Sequence, residues 1–238
     1  MCTLSFIPQS EGFFVAMNRD ERLTREQALL PALRRSGGVQ ALYPSEPSGG
    51  TWIAATNMGA VFALMNRSIF VQKARLSRGL IIPQLLEQTS FAAIERRMKT
   101  LERRDYAPFR LFAILAREQT IGEWRSDGDR FEVQRHPWEA RHWYSSGLGD
   151  LAAEEHRKAA VTAAWQAPDA GSLPWLRSLH RQHNGGPGPF SICVHRADAA
   201  TLSYTEVVCK ADNITMRYQP GSPCREAPTT ELELPLAL

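Results

Sequence analysis

Apolar positions in this chain fall in short, nearly continuous runs rather than in long helical stripes. Leu4 to Ile7 and Phe13 to Met17, joined by Pro8-Gln9-Ser10-Glu11-Gly12, predict a hairpin of two buried strands. That hairpin opens into a dense polar string, Asn18-Arg19-Asp20-Glu21-Arg22. Pro31, Gly37-Gly38, Pro44 and Pro47 then punctuate a stretch with no regular pattern. Gly49 to Ala55 and Ala60 to Asn66, turning at Asn57-Met58-Gly59, predict a second hairpin. Helices are expected within Leu76 to Gln88 and, from an N-cap at Ser90, to about Arg104.

Strands return at Phe109 to Ala116, Thr120 to Trp124 and Phe131 to Val133, and His142 to Gly149 reads as a strand running into a Gly-rich loop. The clearest helix runs from Asp150 to Trp165, with a weaker one around Leu173 to Leu179. The breaker Asn184 to Pro189 precedes three strand-like runs, Phe190 to His195, Thr201 to Cys209 and Ile214 to Tyr218. The Pro-rich tail after Pro220 reads as poorly ordered. Joins of only a few residues force neighbouring strands to be antiparallel, because parallel neighbours need long crossovers. Antiparallel sheets whose strands are apolar on both faces, with two helical blocks to cover them, predict an α+β fold: a four-layer αββα sandwich of two sheets flanked by helices. No repeat or linker divides the 238 residues, so a single domain over 1–238 is expected.

Composition changes this picture little. The net charge of +3 argues for neither a nucleic-acid nor a membrane surface, and no apolar run reaches the length of a transmembrane segment. The opening residues lack the pattern of a secretory signal, which makes the cytoplasm the expected location and leaves Cys2 a candidate free thiol. Cys2, Cys193, Cys209 and Cys224 form no C-x-x-C pair; Cys193 and Cys209 read as buried packing residues, and a Cys209–Cys224 pair stays open. His180 and His183 stand three apart, a spacing that could hold a metal, but beside a Gly-rich loop they read as a solvated surface pair. No cofactor and no metal are expected; a small-molecule substrate or ligand is, and the oligomeric state is left open.

The chemistry concentrates at the start of the chain. Removal of Met1 would leave Cys2 with both a thiol and a free α-amine, whose ordinary pKa of about 8 suits it to act as a base beside its own nucleophile. Gly49-Gly50 has no phosphate-loop spacing and reads instead as a close backbone approach, with Trp52 covering a pocket or packing in the core. Adjacent residues of an extended strand point to opposite sides, so if Asp20 faces Cys2, Arg19 faces away, where an ion pair with Glu21 is an alternative to a site role.

Met1-Cys2, Asn18-Arg19-Asp20-Glu21, Gly49-Gly50-Thr51-Trp52, Ala63-Leu64-Met65-Asn66, Arg78-Gly79 and Thr201 to Glu206 together resemble the NRDE family, also called the Transport and Golgi organisation family. The resemblance extends from Cys2 to about Glu206. It implies a branch of the N-terminal-nucleophile hydrolases near the choloylglycine hydrolase and penicillin V acylase group, with the αββα sandwich. By that resemblance Cys2 is the nucleophile, Asp20 holds its amine and Asn66 supplies an oxyanion donor. Asn18, Arg19, Trp52, Ser145 and Ser146 are the expected substrate contacts. The pattern departs from the amidases in two places: Met17 stands where they carry an arginine, and Ser145-Ser146-Gly147 where they carry an asparagine. Two functions follow as expectations. One is a cysteine hydrolase acting on an amide or thioester of a small acyl substrate. The other is a non-catalytic carrier of a lipid, acyl-CoA or haem-type ligand.

Overall fold

The computed structural model describes residues 2–69, 74–183 and 185–237; Met1, whose removal is expected above, and Asn184 of the breaker lie outside them. Thirteen strands are described, in two antiparallel sheets. In the six-stranded sheet, β1 (Cys2–Gln9) and β2 (Gly12–Arg22) form the central hairpin. Beside them lie β10 (Arg141–Ser145) and, on the other side, β11 (Ala199–Cys209), β12 (Asn213–Pro220) and β13 (Thr230–Pro235), in the order β10-β1-β2-β11-β12-β13. The seven-stranded sheet runs in chain order from β3 (Leu29–Ser36) through β4 (Val39–Ser45), β5 (Ile53–Thr56), β6 (Ala60–Asn66), β7 (Phe109–Leu115) and β8 (Thr120–Ser126) to β9 (Phe131–His136).

The inner faces meet in one apolar core, with Leu4, Phe6, Phe13, Val15 and Met17 of one sheet against Ile53, Val61, Ala63, Met65 and Phe112 of the other. The outer face of the second sheet is covered by α1 (Phe91–Lys99), through Phe91, Ile94 and Met98. The outer face of the first is covered by α2 (Asp150–Ala164) and α3 (Leu173–His180), through Val161, Trp175, Leu176 and Leu179. The expected order of helices, sheet, sheet and helices is therefore present. Buried on both faces, β2, β6 and β7 keep no polar alternation, which is why their runs read as continuous.

Several expectations need correction. The punctuated stretch after Arg25 is a strand pair, β3 and β4, turning at Gly37-Gly38. Pro31 is tolerated because β3 is a sheet edge, where a missing N–H costs no ladder bond. The helix expected within Leu76 to Gln88 is instead two single 3-10 turns, Arg78–Leu80 and Ile82–Gln84, and the helix capped by the Ser90 hydroxyl stops at Lys99. Phe190 to His195 is a bent loop with a single bridge from His195 to Ala200. The tail is ordered: after a turn through Cys224 it adds β13 to β12.

Candidate active site

Register decides which side chains meet Cys2. At the first position of β1, Cys2 stands opposite Arg19 on β2 and Ser145 on β10. Residues directly opposed across an antiparallel pair share a face, so Cys2 and Arg19 point together toward the second sheet. Asp20, one residue on, turns its carboxylate to the helix side. The expected geometry is thus inverted: Arg19 flanks the thiol from the opposing strand, while the Asp20 carboxylate is engaged by Arg157 and Thr201.

Cys2, Arg19, Trp52, Asn66 and Arg78 line a cleft of about 320 Å³ between the ends of the two sheets, with Asp20, Glu21 and Glu46 also on its wall. The Arg19 guanidinium lies 4.3 Å from the centroid of the Trp52 ring and donates to Glu46 Oε1 at 3.0 Å. Its ion-pair partner is therefore Glu46, not Glu21, whose carboxylate accepts from the Arg22 N–H. Arg25 shares Glu46 at 2.6 Å. Trp52 is buried, and its indole N–H has no acceptor among the described residues. Asn66 ends β6, half-buried at the cleft.

The two glycine motifs build the rim together. The Thr51 N–H donates to the Gly79 carbonyl at 3.0 Å, and a Cβ placed on either Gly50 or Gly79 would meet the other segment's backbone at 3.1 Å. The expected close approach is between these two segments. Arg78, next to Gly79, is buried enough that its guanidinium is held below its ordinary pKa, and it donates to the Pro108 carbonyl at 2.9 Å. Gly79→Ala should push the two segments apart at a cost of about 1–3 kcal/mol, read by denaturant unfolding, and displace Arg78 from the cleft.

Behind the cleft, on the helix side, lies an arginine the sequence reading did not single out. Arg157 of α2 is wholly buried and donates to the Cys2 carbonyl (3.1 Å), Thr3 Oγ1 (2.9 Å), the Ser145 carbonyl (3.4 Å) and Asp20 Oδ2 (3.3 Å). Asp20 Oδ1 accepts from Thr201 Oγ1 at 2.6 Å. A bulge in β11 between Thr201 and Ser203 lets Thr201 face Asp20 while Ser203 faces Arg19. Burial raises the Asp20 carboxyl above its ordinary range, against the opposing pull of Arg157 and Thr201. Burial also raises the Cys2 thiol, with the nearby Asp20 charge adding to it and the Asp20 N–H and Arg19 working against it. At neutral pH Cys2 rests as a thiol. Arg157 had a legible signal: with Ala153 and Val161 it repeats every four residues along the one buried face of α2.

Two expected substrate contacts are placed elsewhere. Asn18 is buried on the helix side, where its amide donates to the carbonyls of His180 (2.9 Å) and Ile192 (2.8 Å) and its oxygen lies 3.0 Å from His180 Nδ1. The polar atoms of that side chain are committed to the end of α3 and to the bent loop before β11. Ser146 belongs to the turn before α2: its N–H donates to Asp150 Oδ1 and its hydroxyl accepts from the Leu148 N–H. Ser145 stays beside Cys2, its buried hydroxyl without a partner among the described residues. His180, expected at the surface, is fully buried between Asn18 and the Ser5 hydroxyl (2.8 Å), and burial pushes its pKa down to about 3.

Comparison with known proteins bears on this geometry. The family model described as Transport and Golgi organisation 2 matches residues 1–148, more than half of the chain. The chain belongs to that family. The match includes Cys2, the Asn-Arg-Asp-Glu string and Asn66, and stops short of Glu206, to which the resemblance was traced. Among curated proteins no match is found. Among solved structures, a mutant conjugated bile acid hydrolase from Clostridium perfringens superposes with a TM-score of 0.62 at 8% identity, over 98% of this chain and 92% of that one. Penicillin V acylase from Agrobacterium tumefaciens superposes with a TM-score of 0.53 at 10% identity, over 98% and 86%. At such identities the likeness establishes that this Transport and Golgi organisation 2 chain has the N-terminal-nucleophile hydrolase fold. No helix among the described residues is long and apolar enough to cross a membrane.

Proposed function

We propose that the chain is an N-terminal-cysteine hydrolase acting on an amide or thioester of a small acyl substrate. The observation that carries this is the position of Cys2 at the start of a strand, on the wall of a cleft that Asn66 also lines. Once Met1 is removed, the α-amine of Cys2 takes the thiol proton as the sulfur attacks the acyl carbonyl carbon. Asn66 and a backbone N–H hold the oxyanion, a contribution of about 3–4 kcal/mol where such donors have been removed. The carbon–nitrogen or carbon–sulfur bond of the substrate breaks, the leaving group carries the proton away, and water releases the acid and restores Cys2. Arg78, which lines the cleft and makes no ion pair among the described residues, favours a substrate that brings an anionic group. Four free cysteines fit work in a reducing compartment such as the cytoplasm.

The test is an intact mass, to establish that Met1 is removed, followed by incubation with a panel of acyl amides and acyl thioesters. A Cys2-linked acyl adduct or turnover, lost in Cys2→Ala, is expected. Neither adduct nor turnover across the panel, with Met1 absent, would sink the hydrolase.

One observation favours a second reading, a carrier of a lipid, acyl-CoA or haem-type ligand. Arg19, not Met17, stands opposite Cys2, so the arginine of the amidases has a counterpart, but where they carry an asparagine this chain has Ser145-Ser146-Gly147, and Ser146 is committed to the turn before α2. Saturable binding unchanged by Cys2→Ala would support the carrier.

A further inference from the structure

About Thr201, on the far side from the cleft, four side chains from three separate segments converge. His183 follows α3, Cys193 and His195 lie in the bent loop before β11, and Cys224 lies in the turn after β12. One ligating atom from each lies within 4.8 Å of all the others. His195 Nε2 is the hub, 3.2 Å from His183 Nε2, 3.6 Å from Cys193 Sγ and 3.3 Å from Cys224 Sγ.

We propose that these four residues form a closed structural Zn²⁺ site. A zinc ion with bonds of about 2.0–2.1 Å to imidazole nitrogen and about 2.3 Å to thiolate spans tetrahedral edges of about 3.3 Å between nitrogens and about 3.5 Å between nitrogen and sulfur. The separations around His195 match those edges. Hydrogen bonding alone does not account for the cluster. An imidazole nitrogen carries one proton or one lone pair, yet His195 Nε2 faces three partners, one of them another imidazole nitrogen. A central cation gives each of the four atoms one bond. Two thiols would release their protons to solvent on binding, so the Cys2His2 set with Zn²⁺ is neutral, which suits a half-buried place. With four protein ligands no position remains open, so the role is structural rather than catalytic.

The loops that carry the ligands are fixed by their own hydrogen bonds. Cys193 N–H donates to the Gln182 carbonyl, His195 N–H to the Gly188 carbonyl, and the Ser191 hydroxyl to the His183 carbonyl. The ion would clamp two of these segments against Thr201. That residue exchanges hydrogen bonds with Val194, accepts from the Ser222 hydroxyl at its carbonyl, and holds Asp20. Zinc would thus brace the support of Asp20 without touching the cleft. All four ligands lie beyond residue 148, where the family match ends.

The full chain, purified under reducing conditions without chelator, should contain about one zinc per chain by elemental mass spectrometry. Co²⁺ added to the chelator-stripped chain should give the visible bands of a tetrahedral thiolate site. Cys193→Ser and Cys224→Ser should each lower bound metal by more than about tenfold, while Cys209→Ser should leave it unchanged. Stripping should also lower the thermal midpoint, restored by Zn²⁺. The wild-type measurements stand even if a variant fails to fold. The assignment is overturned by a soluble reduced chain that holds no zinc and gives no tetrahedral cobalt spectrum, by a different metal at stoichiometric level, or by a Cys193–Cys224 disulfide in the freshly isolated chain. None of these outcomes depends on hydrolase activity.

Discussion

Arg157→Met should cost about 3–5 kcal/mol of folding stability at neutral pH, the penalty of stranding one member of a buried ion pair. For a chain of this size that lowers the thermal midpoint by roughly 10 °C. Both side chains of the Arg157–Asp20 pair are inaccessible to water, and the guanidinium also satisfies the carbonyls of Cys2 and Ser145 and the Thr3 hydroxyl. Methionine fills the volume and makes none of these bonds. Among the described residues Asp20 would keep only Thr201 as a side-chain donor, so burial would drive its carboxyl further above the ordinary range than it already stands. The sign of the pH dependence follows. A carboxyl whose pKa is raised by folding favours the folded state when protonated, and that advantage is lost as pH rises through the folded value. The deficit of Arg157→Met should therefore be smaller near pH 4 than near pH 7. Asp20→Asn in the same chain should recover part of it, because the uncompensated charge is then gone. Urea unfolding of the two variants at both pH values measures this; a deficit that does not change with pH would mean that Asp20 is not the group left stranded.

The legibility of the chain divides along lines that Arg157 makes plain. Apolar runs announce themselves, so β1, β5 to β8 and the helix α2 were readable to within a few residues, and with them the layered architecture, whereas β2 carries on past the expected Met17 through the polar string to Arg22. That Gly49-Gly50 permit a close backbone approach was readable too, but not that Gly79 is the partner. What the sequence hides is the identity of partners brought together from distant segments. Asn18 and His180 read as a site residue and a surface residue, yet they bond each other across 162 positions. Prolines hid the β3–β4 pair because an edge strand tolerates what a central strand does not. The Cys and His ligands escaped a search for local metal spacings, since only Cys193 and His195 are neighbours. The opposition of Arg19 and Cys2 needed the hairpin register, which a one-residue slip would have reversed.

The same blindness to partners applies to Glu123, a carboxylate in the middle of β8 with none of its side chain exposed. Burial pushes its carboxyl up, but His136 (2.7 Å), Arg125 (2.6 Å) and Arg110 (2.7 Å) outweigh that and hold it well below the usual carboxylate range. Arg110 in turn donates to the Tyr144 carbonyl at 3.1 Å, so this cluster ties the end of β10, next to Ser145 and Cys2, to the opposite sheet. Glu123→Gln keeps the shape and removes the charge. Arg125 is a third exposed and can recover water, which places the expected cost at neutral pH near the lower end for a broken buried pair, about 3 kcal/mol. A carboxyl depressed by folding contributes its full stability above the unfolded pKa of about 4.3 and loses it as pH falls toward the folded value. Wild type and Glu123→Gln should therefore differ most at pH 6 to 8 and converge as the solution is taken below about pH 4. Guanidinium chloride would screen the cluster, so urea is the denaturant to use. A gap that held constant into acid would mean that the glutamine disturbs packing rather than charge. A gap that closes, together with a faster loss of any Cys2 acylation in the variant, would show that the cation cluster on the second sheet steadies the strand on which the site is built.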